Sequence, residues 1–140
     1  MKSILIILQF FLYANLYSQD IVIHWLANQD SITDCSMIKS GKFLNEESCD
    51  KITPGYSIEI RGNMVTELVN DGEFYMKSKI DFTSDCAYEL TILESTIPGD
   101  NIIGSKVYVE VIGTSKIDNL IMIKTLYAEE QTFVLKKVKN

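Results

Sequence analysis

Histidine and arginine are almost missing from this chain: His24 and Arg61 are the only ones, beside one tryptophan, two prolines and three cysteines. A Ser-His-Asp triad or a zinc site needs at least one histidine with partners around it. His24 sits next to Trp25 in an apolar run and reads as a packed or surface imidazole. Arg61 can clasp a carboxylate or phosphate through both arms. At the end of a strand, though, it reads first as a surface cation. No CxxC is present, which weakens redox and zinc readings alike. The glycines show neither GxGxxG nor P-loop spacing, and no serine lies in a GxSxG setting.

Excess positive charge is also lacking. Thirteen lysines and arginines face nineteen acids over 140 residues. Nucleic-acid binding wants a basic stripe that displaces counterions from phosphates, so the sign here is wrong for it. The clustered cations Lys136, Lys137 and Lys139 read as a solvated C-terminal end. No apolar run is long enough for a membrane helix, which needs roughly 17–25 residues. Ile4 to Leu16 is thirteen residues and contains Gln9 and Asn15. Preceded by Lys2 and followed by Ser18 and Gln19, it has the layout of a secretory signal peptide cut after Ser18. No cysteine follows closely enough for lipid attachment, the first being Cys35. Removing residues 1–18 and their single lysine leaves 122 residues, with twelve cations against nineteen acids and a net charge of about −7. That is one exported domain with room for its own core, and no membrane span once the leader is cut.

Cys35, Cys49 and Cys86 allow one disulfide with one thiol left over, in any of three pairings. A Cys35–Cys86 bridge would close a loop of about fifty residues and stabilise by roughly 4 kcal/mol. Three buried free thiols are the alternative.

What the mature chain does hold is strand signal. Phe74, Met76, Ser78, Ile80 and Phe82 alternate with Glu73, Tyr75, Lys77, Lys79 and Asp81. Tyr56-Ile58-Ile60, Tyr88-Leu90-Ile92 and Val107-Val109-Val111 alternate with polar neighbours in the same way. Period two separates a dry face from a wet one, as in antiparallel sheets. Turn chemistry falls in the gaps, at Gly62-Asn63, Asp71-Gly72, Pro98-Gly99-Asp100-Asn101, Ile117-Asp118-Asn119 and Glu129-Glu130. Eight strands follow, near 41–45, 56–61, 64–70, 73–83, 86–94, 105–113, 119–128 and 131–138. Joined by short reversals, they form an all-β meander. Two exposed edges invite aggregation, and closure into a small up-and-down barrel removes them. Residues 19–40 read as a lead-in that packs over one barrel end. Asp34 caps a short helical turn there and Gly41 ends it.

Asp81, Asp85 and Glu89 surround the Cys86 hairpin, and paired carboxylates can do acid–base work or hold Ca²⁺. They fall on solvent-facing and turn positions, as ordinary polar decoration does. Tyr56, Tyr75, Tyr88, Tyr108 and Tyr127 can line a ligand cavity or simply pack the barrel wall.

Several segments in order carry a resemblance: Asp34-Cys35 through Ser40-Gly41-Lys42-Phe43, Ile58-Glu-Ile-Arg61, Ser84-Asp-Cys86-Ala-Tyr88-Glu-Leu90, Ile103-Gly104 and Leu135-Lys136-Lys137. Over residues 34–138 the chain resembles a family of short, uncharacterised exported proteins of Bacteroidetes-type bacteria, β-rich and lipocalin-like. The resemblance implies that Cys35 pairs with Cys86 and that Cys49 is an addition. Phe82 stands where members often have Trp, and residues 20–33 depart from the shorter family start. A topoisomerase label carried by some members does not suit a short, acidic, exported chain with no DNA-cleaving constellation.

The expectation is therefore a leader (1–18), a lead-in (19–40) and one lipocalin-like barrel domain (41–140). Its expected role is non-enzymatic binding, with a small apolar ligand or an envelope protein as partner and no cofactor, catalytic set or metal. A carboxylate-based hydrolase and a purely structural interaction protein are the alternatives.

Overall fold

The computed structural model describes residues 26–46, 55–99 and 101–139. The expected leader, His24, Trp25 and Cys49 lie outside the described residues.

The strands are β1 (Gly41–Asn45), β2 (Ser57–Arg61), β3 (Met64–Val69), β4 (Phe74–Phe82), β5 (Ala87–Ser95), β6 (Lys106–Ser115), β7 (Leu120–Leu126) and β8 (Glu130–Lys139). Each pairs antiparallel with its neighbours in sequence, and β1 pairs with β8 to close the barrel. Closure leaves no free edge, which is the physical reason a meander of this length can stand as one sheet without offering an edge for strand addition.

Alternation sets the inside. Phe43 faces Ile58 across β1–β2, Ile60 faces Val65 across β2–β3, and Ile121 faces Leu135 across β7–β8. All of these are buried in one core cluster. Three register shifts interrupt the pairing: between β1 and β8 at Lys42/Phe43, between β4 and β5 at Lys77/Ser78, where Leu93 of β5 is the extra residue, and between β6 and β7 at Val111/Gly113, where Ile112 of β6 is the extra residue. Beyond the last, Thr114 and Ser115 are both fully buried although they are adjacent.

The chain direction gives the barrel two unlike ends. At one end lie the start of β1, the β2–β3, β4–β5 and β6–β7 turns, and the last residues of β8. The lead-in packs there. Leu26 lies with Met122 and Val134 in a second, smaller cluster. These two side chains alternate with inward-facing Ile121, Ile123, Phe133 and Leu135, so the cluster belongs to the outer wall. The chain then crosses the barrel end and drops Ile38 into the core at 1% exposure. Gly113 permits the close crossing, because a Cβ there would lie 3.3 Å from the Gln29 side-chain amide and 3.2 Å from Met122.

A 3₁₀ turn spans Cys35–Ile38, and Asp34 caps it by accepting from the Ser36 amide at 3.1 Å. Lys39, not Gly41, closes that turn. Gly41 instead opens β1 with φ +124°, and a side chain there would collide with the Lys139 carbonyl. The C-terminal lysines are likewise not a loose end. β8 runs to Lys139, Lys137 Nζ donates to the Met37 carbonyl at 3.0 Å, and Lys136 pairs with Glu46 at 3.3 Å.

Cys35 and Cys86 form a disulfide with 5.0 Å between their Cα atoms. It staples the lead-in to the β4–β5 hairpin. Among the described residues no helix is long and apolar enough to cross a membrane.

Candidate functional site: a one-ended cavity in the barrel

At the opposite end lie the turns after β3 and β7, the long β5–β6 connection and the facing ends of β1 and β2, between which residues 47–54 lie outside the described ones. Below them the barrel holds a cavity of about 350 Å³. Its floor is made by Val65 and Leu135, and its wall includes Leu90, Ile92, Val109 and Ile123. Ile97 and Ile102 reach in from the β5–β6 connection. The division follows from the sequence. Phe43, Ile60 and Ile121, together with Ile38 from the lead-in, fill the stapled half. The lining of the other half mixes large side chains such as Met76 and Phe133 with the smaller or polar Val107, Thr125 and Gln131. An eight-stranded barrel is just wide enough either to be filled or to hold one small ligand. This one is filled in one half and hollow in the other.

The cavity's polar groups are few. Glu67 lies on β3 in phase with Val65 and is 8% exposed. The Tyr56 hydroxyl donates to its Oε2 at 2.5 Å. Burial pushes the Glu67 carboxyl above its ordinary value, while the hydrogen bond from Tyr56 acts in the opposite direction. Burial and the neighbouring Glu67 carboxyl push the Tyr56 hydroxyl well above the usual range, and the Tyr88 hydroxyl is raised for the same two reasons. Tyr127 stands at the mouth, its hydroxyl donating to Ser105 Oγ at 3.4 Å. Among the described residues lining the cavity, Glu67 is the only one with a carboxyl, and none has an amine or guanidinium.

Of the five tyrosines considered from sequence, Tyr56, Tyr88 and Tyr127 line the cavity. Tyr75 and Tyr108 lie on the outer wall, bonded to Glu94 at 3.4 Å and Thr83 at 3.3 Å. The acids near the hairpin do not converge on a site. Asp81 pairs with Lys79 at 2.9 Å, Glu89 pairs with Lys106 at 2.6 Å, and Asp85 is exposed in the turn. All three lie outside the cavity. Arg61 spends its fork on a neighbour, Nε and Nη2 both donating to Glu59 Oε1 at 2.9 and 2.5 Å. Among the described residues no cluster of His, Cys, Asp or Glu is arranged to hold a metal ion.

Glu67 escaped the sequence reading, yet a signal was present. Val65, Glu67 and Val69 share one parity, so an acid stands where the dry face requires an apolar residue. A charged residue at a core-parity position is worth singling out even without a motif.

Comparison with protein-family models, curated proteins and solved structures finds no match.

Proposed function

We propose that this protein is an exported binding module whose barrel takes up a small apolar ligand through its open end. The cavity carries the reading. Its volume falls at the lower end of the range of small-molecule sites, about 300–1,000 Å³, and its wall is apolar with a few polar groups, as such sites are. At interior packing density it holds about a dozen non-hydrogen atoms. The secretory layout of residues 1–18 and the Cys35–Cys86 disulfide support export, since disulfides persist in oxidising compartments. The ordered motifs over residues 34–138 support membership of the lipocalin-like exported family. A carboxylate hydrolase fits less well: a two-carboxylate mechanism needs a second acid facing the same space, and Glu67 has none among the described lining residues.

Calorimetric titration with 1-octanol tests the reading, using Val107→Trp to fill the mouth. Wild type should bind. The variant should lose at least about tenfold in affinity, a difference of 1.4 kcal/mol, while its circular dichroism spectrum stays unchanged. A folded Val107→Trp that binds octanol as wild type does would remove the cavity from the account. Mass spectrometry of small molecules extracted from protein purified from its native host should then identify the natural occupant.

A further inference from the structure

We propose that the ligand carries a cationic amine, its ammonium docking against Glu67 beside Tyr56 and Tyr88 while its apolar body fills the aliphatic part of the cavity. The proposal rests on the cavity being a ligand site and goes further by naming the ligand's chemical class.

Three observations lead there. The first is an unfinished hydrogen-bond set. An ionised carboxylate has about four acceptor positions, and Glu67 uses one, for the Tyr56 hydroxyl, among the described residues. The buried polar groups at the other end of the barrel are satisfied within the fold. Thr114 Oγ1 donates to Asp30 at 2.7 Å and accepts from the Asp34 amide at 2.9 Å, and Ser115 Oγ donates to Asp118 at 2.8 Å. The second is charge. Glu67 lines the cavity with no described cation beside it. Buried charges are normally paired, because an isolated ion loses its hydration without return. A cationic ligand restores the pairing, whereas a carboxylate ligand would double the like charge. The third is the tyrosines. Tyr56, Tyr88 and Tyr127 line the same space, and an ammonium near an aromatic face gains cation–π attraction on top of the ion pair.

Proton binding follows the same logic. Among the described residues, the titratable groups facing Glu67 are Tyr56, which precedes β2, and Tyr88 from β5; its β2 and β4 partners, Ile58 and Met76, carry none. Both hydroxyls are raised, so they stay neutral near pH 7. Of the three, only Glu67 is an acid whose charged form is lost as the pH falls, and burial moves that loss to higher pH than for a free carboxyl. Below its pKa the carboxyl is neutral and the ammonium loses its partner.

Calorimetric titration of the full chain with octylammonium, 1-octanol and octanoate tests the inference. Wild type near pH 7.5 should bind octylammonium about ten- to a hundredfold more tightly than octanol, the scale of one hydrogen bond to a charged group. Octanoate should bind weakest. Glu67→Gln keeps the size of the side chain and an acceptor for Tyr56. It should abolish the octylammonium preference and leave octanol nearly unchanged. Lowering the pH until Glu67 is protonated should weaken octylammonium binding to wild type and not octanol binding, since an alkylamine stays protonated as the pH falls. That profile carries the test by itself if the Gln variant does not fold. Octanol binding as tightly as octylammonium, or an octylammonium affinity independent of pH, overturns the cationic ligand while leaving the cavity reading intact. Failure of all three probes to bind overturns the cavity reading and the inference with it.

Discussion

The two ends of this barrel are made from the same eight strands and differ in how their polar groups are treated. At the stapled end every buried hydroxyl that stands out has a partner: Thr114 has Asp30 and the Asp34 amide, and Ser115 has Asp118. The Asp34 carboxylate that caps the turn is held below its ordinary value, first by the Ser36 hydroxyl and then by Lys116. Toward the open end the buried polar groups are left incomplete. Glu67 has one described donor, and Ser78 Oγ has none. Ser78 Oγ, at the boundary between the halves, is the one fully buried side-chain polar atom among the described residues with no partner, while Glu67 accepts from Tyr56 and faces the cavity. The difference separates a half whose buried polar groups are closed within the fold from a half that keeps a carboxyl facing a cavity, which is what the proposed ligand site requires.

The strongest way to break that comparison is to remove the staple. Replacing Cys35 and Cys86 together by serine should cost roughly 4 kcal/mol in urea unfolding, the chain-entropy value for a loop of this size. The sequence separation of 51 sets that scale. Octanol affinity, measured where the variant is still folded, should be unchanged. A variant that loses affinity in step with stability would show the two ends to be coupled, and the division would fall.

A smaller effect should follow from Asp30→Ala. Asp30 Oδ2 accepts from the fully buried Thr114 hydroxyl at 2.7 Å and from the Lys116 amide at 3.2 Å, and its own amide donates to the Thr114 carbonyl at 2.7 Å. Removing the carboxylate leaves that hydroxyl without its acceptor, a loss of about 2 kcal/mol. Hydrogen exchange should rise locally over residues 26–34 and at the β6–β7 turn. Unchanged stability would mean that the lead-in is held by its apolar contacts and the disulfide alone.

How far these ends could be read from sequence depends on range. The strands of β4, β5 and β6 were legible because period-two alternation is local, and the turns because Asp-Gly and Gly-Asn carry their own backbone preferences. The closed eight-strand barrel followed from the short reversals. The capping of Cys35–Ile38 by Asp34 was legible for the same local reason. Gly41 was misjudged because a glycine that ends a turn and one that opens a strand look alike until Lys139 is seen beside it. The C-terminal lysines looked solvated because their partners, Met37 and Glu46, lie 100 and 90 residues away. Phe82 shows the limit of parity. It belongs to the dry-face set but sits at a strand end, 38% exposed, with the Lys39 ammonium 3.8 Å over its ring. Nothing local marked Thr114 for Asp30, and the β6 register shift hid that Thr114 and Ser115 are both buried.

The finest probe lies on the boundary between the halves. Ser78 is 1% exposed on β4, opposite Val65 and Ile92, which both line the cavity. It shares parity with Met76 and Ile80 on β4, whose pairing with β3 runs without a break, so a hydroxyl stands where both same-face neighbours are apolar. Its oxygen finds no partner among the described residues. Ser78→Ala removes one atom and with it the cost of an unsatisfied buried hydroxyl, so the variant should be more stable by about 1 kcal/mol. The gain should appear as a higher denaturant midpoint with an unchanged slope, because the surface exposed on unfolding is nearly the same. A loss of similar size would have a different meaning: the hydroxyl is satisfied in solution by something in the cavity. In that case the loss should grow when octanol or octylammonium is present and bonded to it, and should persist in the empty barrel if water is the partner. The sign of one small change therefore tells whether the filled half ends below Ser78 or above it.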